Sequence, residues 1–406
     1  MISDLRDYND GLYCLLSAVE RRRLRQALAP ELVPKQQKID TIKELGGAST
    51  EYQDLAGVAA LAVQRLCLES PETSGAARAA SQRRLQIEGN RISFDLQEAQ
   101  NSVPTHADRA IASLSEPHGA GKRVVLVEWK SYDKNLGEAL REQQLQRLRD
   151  LAALLNVDNK PPSLHVPHCI GYFSDNWHPR VGFVFEYGGY TPPWSLQDVL
   201  GGNAIPYVGD RFRLAHELSL SVSILHSAGW LHKGIRSDNI IFSSPLSRTT
   251  HPPQLDHPLL LGFEYARPNT HTAFSETIDN LGPQALLYRH PQCIDTEGQP
   301  RTRFEPAHDV YSLGVILLEI GLWRSAEELY AKLKYTGRFD PRFGKDLLRH
   351  HTPLLGGKMG KIYMEAVTAC LSGEYTKIDQ ITQQTASNEQ EKFYWAVVNP
   401  LSKLVA

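Results

Sequence analysis

Two short stretches of this chain hold residues whose types and spacing could do chemistry. The first is Gly119-Ala120-Gly121-Lys122, small residues and a cation ahead of an apolar run, the composition of a loop that cradles phosphates. Arg123 follows Lys122 where a Walker-type loop requires Ser or Thr, so the stretch reads as a tight turn feeding a strand. The second is 225–242, Leu-His-Ser-Ala-Gly-Trp-Leu-His-Lys-Gly-Ile-Arg-Ser-Asp-Asn-Ile-Ile-Phe, where Asp238 and Asn239 offer oxygen ligands of the kind a hard divalent cation takes. The five cysteines (Cys14, Cys67, Cys169, Cys293 and Cys370) are scattered and odd in number. That speaks against a zinc site or a disulfide framework and for reduced thiols.

The elements that must position these residues are legible from periodicity. Val124 to Lys130 alternates as a strand and ends on Lys130; Ile92 to Leu96 alternates as well. Leu140 to Leu155 sets Leu145, Leu148, Leu151, Leu154 and Leu155 on one side of a helix, and Arg211 to Ser227 does the same with Leu214, Leu218, Val222 and Leu225. Residues 1–70 read as helical. Ser17 with Glu20 forms a capping box that opens a helix over Ala18 to Leu28, Pro30 and Pro34 bracket the turn after it, and a further helix covers Thr50 to Leu68. The basic run Arg21-Arg22-Arg23-Leu24-Arg25 reads as a solvated helix face balanced by Glu20 and Glu31. The small and polar 69–84 segment is a linker, and prolines between Ser243 and Pro258 imply a surface loop.

Taken in order, these stretches resemble the landmarks of the protein kinase superfamily, across roughly residues 85 to 400. The 225–242 run resembles a long C-lobe helix entering the H-R-D-x-x-x-x-N catalytic loop, with His232 and Asn239 in place and Lys233 in the Arg slot. Val124 to Lys130 resembles the V-A-I-K strand, Val181 to Gly189 the hinge strand, and Leu260 to Arg267 the D-F-G region. Tyr288-Arg289-His290-Pro291-Gln292 resembles the end of the activation segment, and Asp309 to Ile320 the buried C-lobe helix. The fold this implies is α+β and bilobal, with an N-lobe over about 85–187, a C-lobe over about 188–400, and an α-helical extension ahead of them.

The resemblance also implies what the chain lacks. Gly234 stands at the catalytic Asp position and Gly262 at the metal-binding Asp position, and neither can orient a hydroxyl or hold a cation. Lys130 and Asn239 remain as nucleotide contacts, so any ATP would bind without magnesium, and no metal site is expected. Glu264 and Asp238 are the surrogates that an active but atypical ATP-dependent kinase would need. The C-helix partner of Lys130 is open: Arg147 falls nearest the usual Glu position, between Glu142 and Asp150. His232 and Asp309 are expected to brace the loop, Asp309 by accepting its backbone amides. Thr270, Thr272, Ser275 and Thr277 could be phosphorylated in the activation segment, with Lys233 and Arg267 as receivers.

The opening Leu5-Arg6-Asp7-Tyr8-Asn9-Asp10-Gly11-Leu12, followed by the Glu-Arg-Arg-Arg helix, resembles the end of the fungal HeLo-type helical domains that precede kinase-like domains. Some 70 residues are too few for the full bundle, so this resemblance implies a truncated domain. A net charge of −2, from 44 basic and 46 acidic residues, exerts no global pull on nucleic acid or anionic lipid. No apolar run reaches the length of a membrane span, and no secretion signal opens the chain, so a cytoplasmic setting is expected. The function expected is that of a catalytically inactive kinase-like (pseudokinase) signalling or scaffold protein, in fungal cell-death or incompatibility signalling. Its partners would be proteins such as an upstream kinase or receptor, with self-association through the N-terminal helices. The alternatives are the atypical kinase and a helical oligomerisation module.

Overall fold

The structure is a computed structural model that describes residues 16–47, 52–69, 83–94, 109–116, 121–135, 137–189, 193–202, 204–242, 255–270, 282–294, 301–333, 339–375, 386 and 388–405. Its chain is mixed α+β, with a helical N-terminal region ahead of a curled antiparallel sheet and a mainly helical remainder.

Helix α1 (Ala18–Leu32) begins at the capping box read from sequence: the Glu20 N–H donates to Ser17 Oγ at 3.2 Å and the Ser17 N–H donates to Glu20 Oε2 at 2.8 Å. Pro30 does not bracket a turn. The helix runs through it to Leu32, and Pro34 sits in a 3₁₀ turn over Val33–Lys35. A proline inside a helix loses one backbone hydrogen bond; here Pro30 is buried and its carbonyl accepts from Asn388 Nδ2 at 3.3 Å, so tertiary contacts offset the loss. Helix α2 (Ile39–Gly46), unexpected from sequence, packs on α3 (Gln53–Glu69), whose Leu55, Val58, Leu61 and Ala62 face inward as the periodicity required.

Strands β1 (Ile92–Ser93), β2 (Arg109–Ser115), β3 (Lys122–Ser131), β4 (Cys169–Ser174) and β5 (Arg180–Glu186) form one antiparallel sheet in the order β1-β2-β3-β5-β4. Helix α4 (Glu138–Leu155) connects β3 to β4 and packs on β4 and on α3. Strand β2 went unread in the sequence; its apolar pattern is short, with Ala112 and Leu114 its buried residues. The two faces of β3 are both covered: Val125, Val127 and Trp129 join a small cluster with Phe173 and Val184, while Leu126 points the other way into the main core. A strand buried on both faces carries little apolar contrast, so the polar residues on its inner face must find partners.

Beyond β5 come β6 (Trp194–Ser195), helix α5 (Leu196–Leu200), helix α6 (Val208–Ser227), β7 (Trp230–Leu231), β8 (Ile240–Phe242), β9 (Leu259–Leu260) and β10 (Arg267–Pro268), in two small sheets ordered β6-β8-β9 and β10-β7. A short helix α7 (Pro283–Leu286) leads to α8 (Pro306–Leu322), in which every residue from His308 to Leu322 is buried. Buried all round, α8 is the axle of this half, flanked by α6 and by the helices Leu354–Met359 and Lys361–Ser372. Helices α1 and α3 share the same continuous core as α4, α6 and α8. The 69–84 linker, the 243–258 loop and Ile92–Leu96 are each described only in part, and Thr272, Ser275 and Thr277 lie outside the described residues.

Candidate functional site

The residues singled out in the sequence converge between β3 and the loop that joins β7 to β8. Glu128 lies opposite Arg109 of β2 and Phe183 of β5, and since successive side chains alternate, Arg109, Glu128 and Lys130 share the inner face of the sheet. Lys130 Nζ donates to Glu128 Oε1, and Arg109 Nε donates to Glu128 Oε2 at 3.3 Å. All three side chains are at most 9% exposed. The carboxylate that meets Lys130 therefore comes from its own strand. On α4, Glu142 accepts from Arg149 at 2.6 Å and Asp150 from Gln146 at 3.0 Å, while Arg147 is half-buried.

The same group reaches the facing loops. Arg109 donates to the Asp238 carbonyl at 2.6 Å and to Asn239 Oδ1, and the Gly262 N–H lies 3.2 Å from Glu128 Oε1 and 3.3 Å from Oε2. Asn239 Nδ2 in turn donates to the Gly234 carbonyl at 2.7 Å. Lys130, Asn239, Gly234 and Gly262 are thus brought together as the sequence suggested, but Lys130 and Asn239 are bonded to protein groups. Charge-assisted bonds of this kind are among the stronger ones in proteins. Arg109 and Glu128 were missed. The available signal was that Glu128 stands two residues before Lys130 and so shares its face.

Both glycines fit tightly. Gly262 has φ +83°, the left-handed region where a Cβ is penalised, and an added Cβ would overlap the Asn239 carboxamide. At Gly234 a Cβ would come within 2.6 Å of the Gly262 carbonyl oxygen. Asp238, a candidate metal surrogate, pairs with Arg236 at 2.8 Å; the side chain of the other, Glu264, lies outside the described residues.

The loop itself is braced from α8. Asp309 accepts the His232 and Lys233 N–H groups at 2.8 Å each, and His226 Nε2 lies 3.2 Å from it. Burial pushes the Asp309 carboxyl up, but the His226 hydrogen bond and the charges and amides around it prevail and hold it below the usual value. His232 is fully buried, rests on the Phe263 ring at 4.3 Å between centroids, and accepts the Gly234 N–H through Nδ1 at 3.1 Å. Burial, outweighing the attraction of Asp309, presses its pKa down to about 4, so the ring is neutral. Lys233 adopts φ +64°, an uncommon conformation for a side-chain-bearing residue, and Arg289 secures it by donating to its carbonyl at 3.2 Å.

Arg267 is 1% exposed and donates to the carbonyls of Pro268 and Phe304, both at 2.9 Å; burial, with Arg303 nearby, lowers its pKa to about 10. Lys233, also buried, holds Nζ 5.8 Å from the Phe304 ring centre. Tyr288 ties the 282–294 segment to the loop and to α8, with its hydroxyl 2.7 Å from Ser237 Oγ and donating to Glu319 Oε1 at 2.7 Å. Burial raises the Glu319 carboxyl well above its usual value.

Among the described residues no cluster of His, Cys, Asp and Glu could hold a metal ion, no helix is long and apolar enough to cross a membrane, and Cys67, Cys169, Cys293 and Cys370 are unbridged. No protein-family model matches this chain, and no curated protein matches it either.

Proposed function

We propose that this chain is a kinase-like protein without phosphotransfer activity, which signals by binding and by conformation. The kinase-like part of this reading rests on the ordered motifs of the sequence. It is supported by the five-stranded antiparallel sheet with α4 between β3 and β4, by the loop bearing His232 and Asn239 between a long helix and a strand, and by Asp309 bracing that loop from a buried helix.

One observation carries the inactive part. Glu128 takes up Lys130, Arg109 and the Gly262 N–H at once, and Arg109 also bonds Asn239, so the inner face of the sheet is closed onto the facing loops by protein groups. Phosphoryl transfer needs positioned phosphates, metal ions and an oriented nucleophile. Gly234 and Gly262 supply no carboxylate, and Asp238 is held by Arg236. That pairing counts against the rival reading, an atypical active kinase. The fungal cell-death context rests on the HeLo-type resemblance alone, with an upstream kinase or receptor as the partner it suggests.

Thermal-shift titration with ATP, with and without magnesium, tests the reading, together with radiolabelled phosphate transfer to generic substrates and to the protein itself. The expected results are no magnesium-dependent stabilisation and no incorporation. Incorporation that disappears in a Lys130→Met variant would refute it.

A further inference from the structure

A cavity away from the Glu128 cluster lies where the N-terminal helix meets the body. About 740 Å³ in volume and open to solvent on one side, it is lined by α1, the 158–168 segment, α6 and residues near Ser402. That size suits a small organic ligand. Cations and imidazoles dominate its walls: Arg22 and Arg23 come from α1, Arg213 and His216 from α6, and His165 from the segment between them.

His216 supplies an independent pointer. It is 7% exposed, lines the cavity, and its Nε2 has no hydrogen-bond partner among the described residues. Buried polar atoms almost always have partners, so this one asks for a group that the chain does not provide. Burial first, and then the charges of Arg22, Arg23 and His165, press the ring to about 4, which shows the sign of the field that an occupant would meet. Glu217 adds an acceptor to the same wall, its Oε2 also without a partner among the described residues.

We propose that this cavity binds a hydroxyl-bearing phosphate monoester, with Arg22 and His216 donating to the phosphate and Glu217 accepting a hydroxyl. The phosphate supplies the oxygen that His216 Nε2 lacks and the charge that the arginines attract. The hydroxyl gives Glu217 a partner, which a bare polyanion would not. Because Arg22 belongs to α1 and His216 to α6, the ligand bridges the N-terminal helix and the body. A sugar phosphate and a lipid phosphate headgroup share this chemistry.

Calorimetric titration of the full chain with glucose 6-phosphate and inorganic phosphate, and sedimentation with phosphatidylcholine vesicles with and without phosphatidylinositol 4-phosphate, test the proposal. Saturable binding of glucose 6-phosphate, tighter than that of inorganic phosphate, is expected, and Arg22→Glu and His216→Phe should each weaken it about tenfold or more. Arg22 is exposed and His216→Phe removes an unpartnered buried nitrogen, so both variants should fold, with thermal midpoints at or above that of the parent for His216→Phe. Cosedimentation that requires phosphatidylinositol 4-phosphate and is lost in both variants would assign the site to a membrane headgroup. Binding of the soluble ester alone would assign it to a metabolite. The proposal is overturned if no probe binds saturably, or if both folded variants bind as the parent does.

Discussion

Glu128 and Gly262 meet across 134 positions of sequence, the glycine N–H lying within 3.3 Å of both carboxylate oxygens. Arg109 and Lys130 hold the same carboxylate from either side. A buried carboxylate flanked by two cations is a fixed feature of the protein, because removing it leaves charges stranded away from water.

Glu128→Ala is therefore expected to cost about 3–5 kcal/mol in denaturant unfolding, the range for breaking a buried ion pair from one side. Lys130→Met should cost much less, since Arg109 and the Gly262 N–H still hold Glu128. In an active nucleotide site the order of importance would be reversed, with Lys130 mattering for ligand and Glu128 for little. Equal stability losses in the two variants would contradict the geometry.

That relationship was not legible in the sequence, although much around it was. Lys130, His232, Asn239 and Asp309 could be placed because each sits at a fixed step in a motif whose flanking residues alternate or repeat with helical period. Glu128 falls on the same side of its strand as Lys130, but alternation alone does not say that this side is buried; the burial of both faces of β3 does. Arg109 lies in a strand that the apolar pattern marks weakly, and its partners are 19 and 130 positions away. Local periodicity carries no information about pairs at such separations. The Pro30 turn failed for a related reason: the contacts of Asn388 and Tyr394 with α1, which outweigh the proline, come from the far end of the chain.

Restoring the missing carboxylates should not restore activity. Gly262→Asp forces a left-handed residue to carry a Cβ, at about 1–2 kcal/mol, and drives that Cβ into the Asn239 carboxamide. A Gly234→Asp, Gly262→Asp double variant is expected to show a lowered thermal midpoint and no phosphate incorporation. Measurable transfer by this variant would mean that two carboxylates were all the chain lacked.

Acid should weaken the fold before carboxylates titrate. The folded pKa of His232, about 4, lies below its ordinary value near 6.5, so on acidification the unfolded chain takes up a proton first. The contribution is complete above about 6.5 and is lost as the pH falls toward 4, by about 3 kcal/mol at the limit. Asp309 acts in the same direction at lower pH, because its folded pKa is depressed and its contribution disappears as it protonates. Glu319 acts oppositely: with its pKa raised, it favours the fold below its ordinary value and less as pH rises. Urea unfolding at pH 5 to 7.5 checks the histidine's share. In a His232→Asn variant, whose side-chain oxygen can still accept the Gly234 amide but cannot titrate, the slope over this window should be shallower.

The packing of the N-terminal helices on the body can be tested at a single glycine. In α3, a Cβ at Gly57 would lie 2.6 Å from Pro161 Cδ, and a proline ring cannot swing aside as a flexible side chain would. The neighbouring Ser163 Oγ donates to Asp54 of the same helix at 3.2 Å, so helix and segment are fixed at two points one turn apart. Gly57→Val should therefore overpack this contact and cost about 1–3 kcal/mol, with amide exchange rising in α3 and in the 158–168 segment. Gly46 is the internal control: its nearest neighbour would be Ala59 Cβ at 3.5 Å, an ordinary contact, so Gly46→Ala should leave stability unchanged or raise it by about 0.5–1 kcal/mol. If the two substitutions have the same effect, α3 does not depend on Pro161 for its place. If only Gly57→Val loosens α3 while the β3 amides stay protected, the helical region is held to the body at this contact and can be released there without unfolding the sheet.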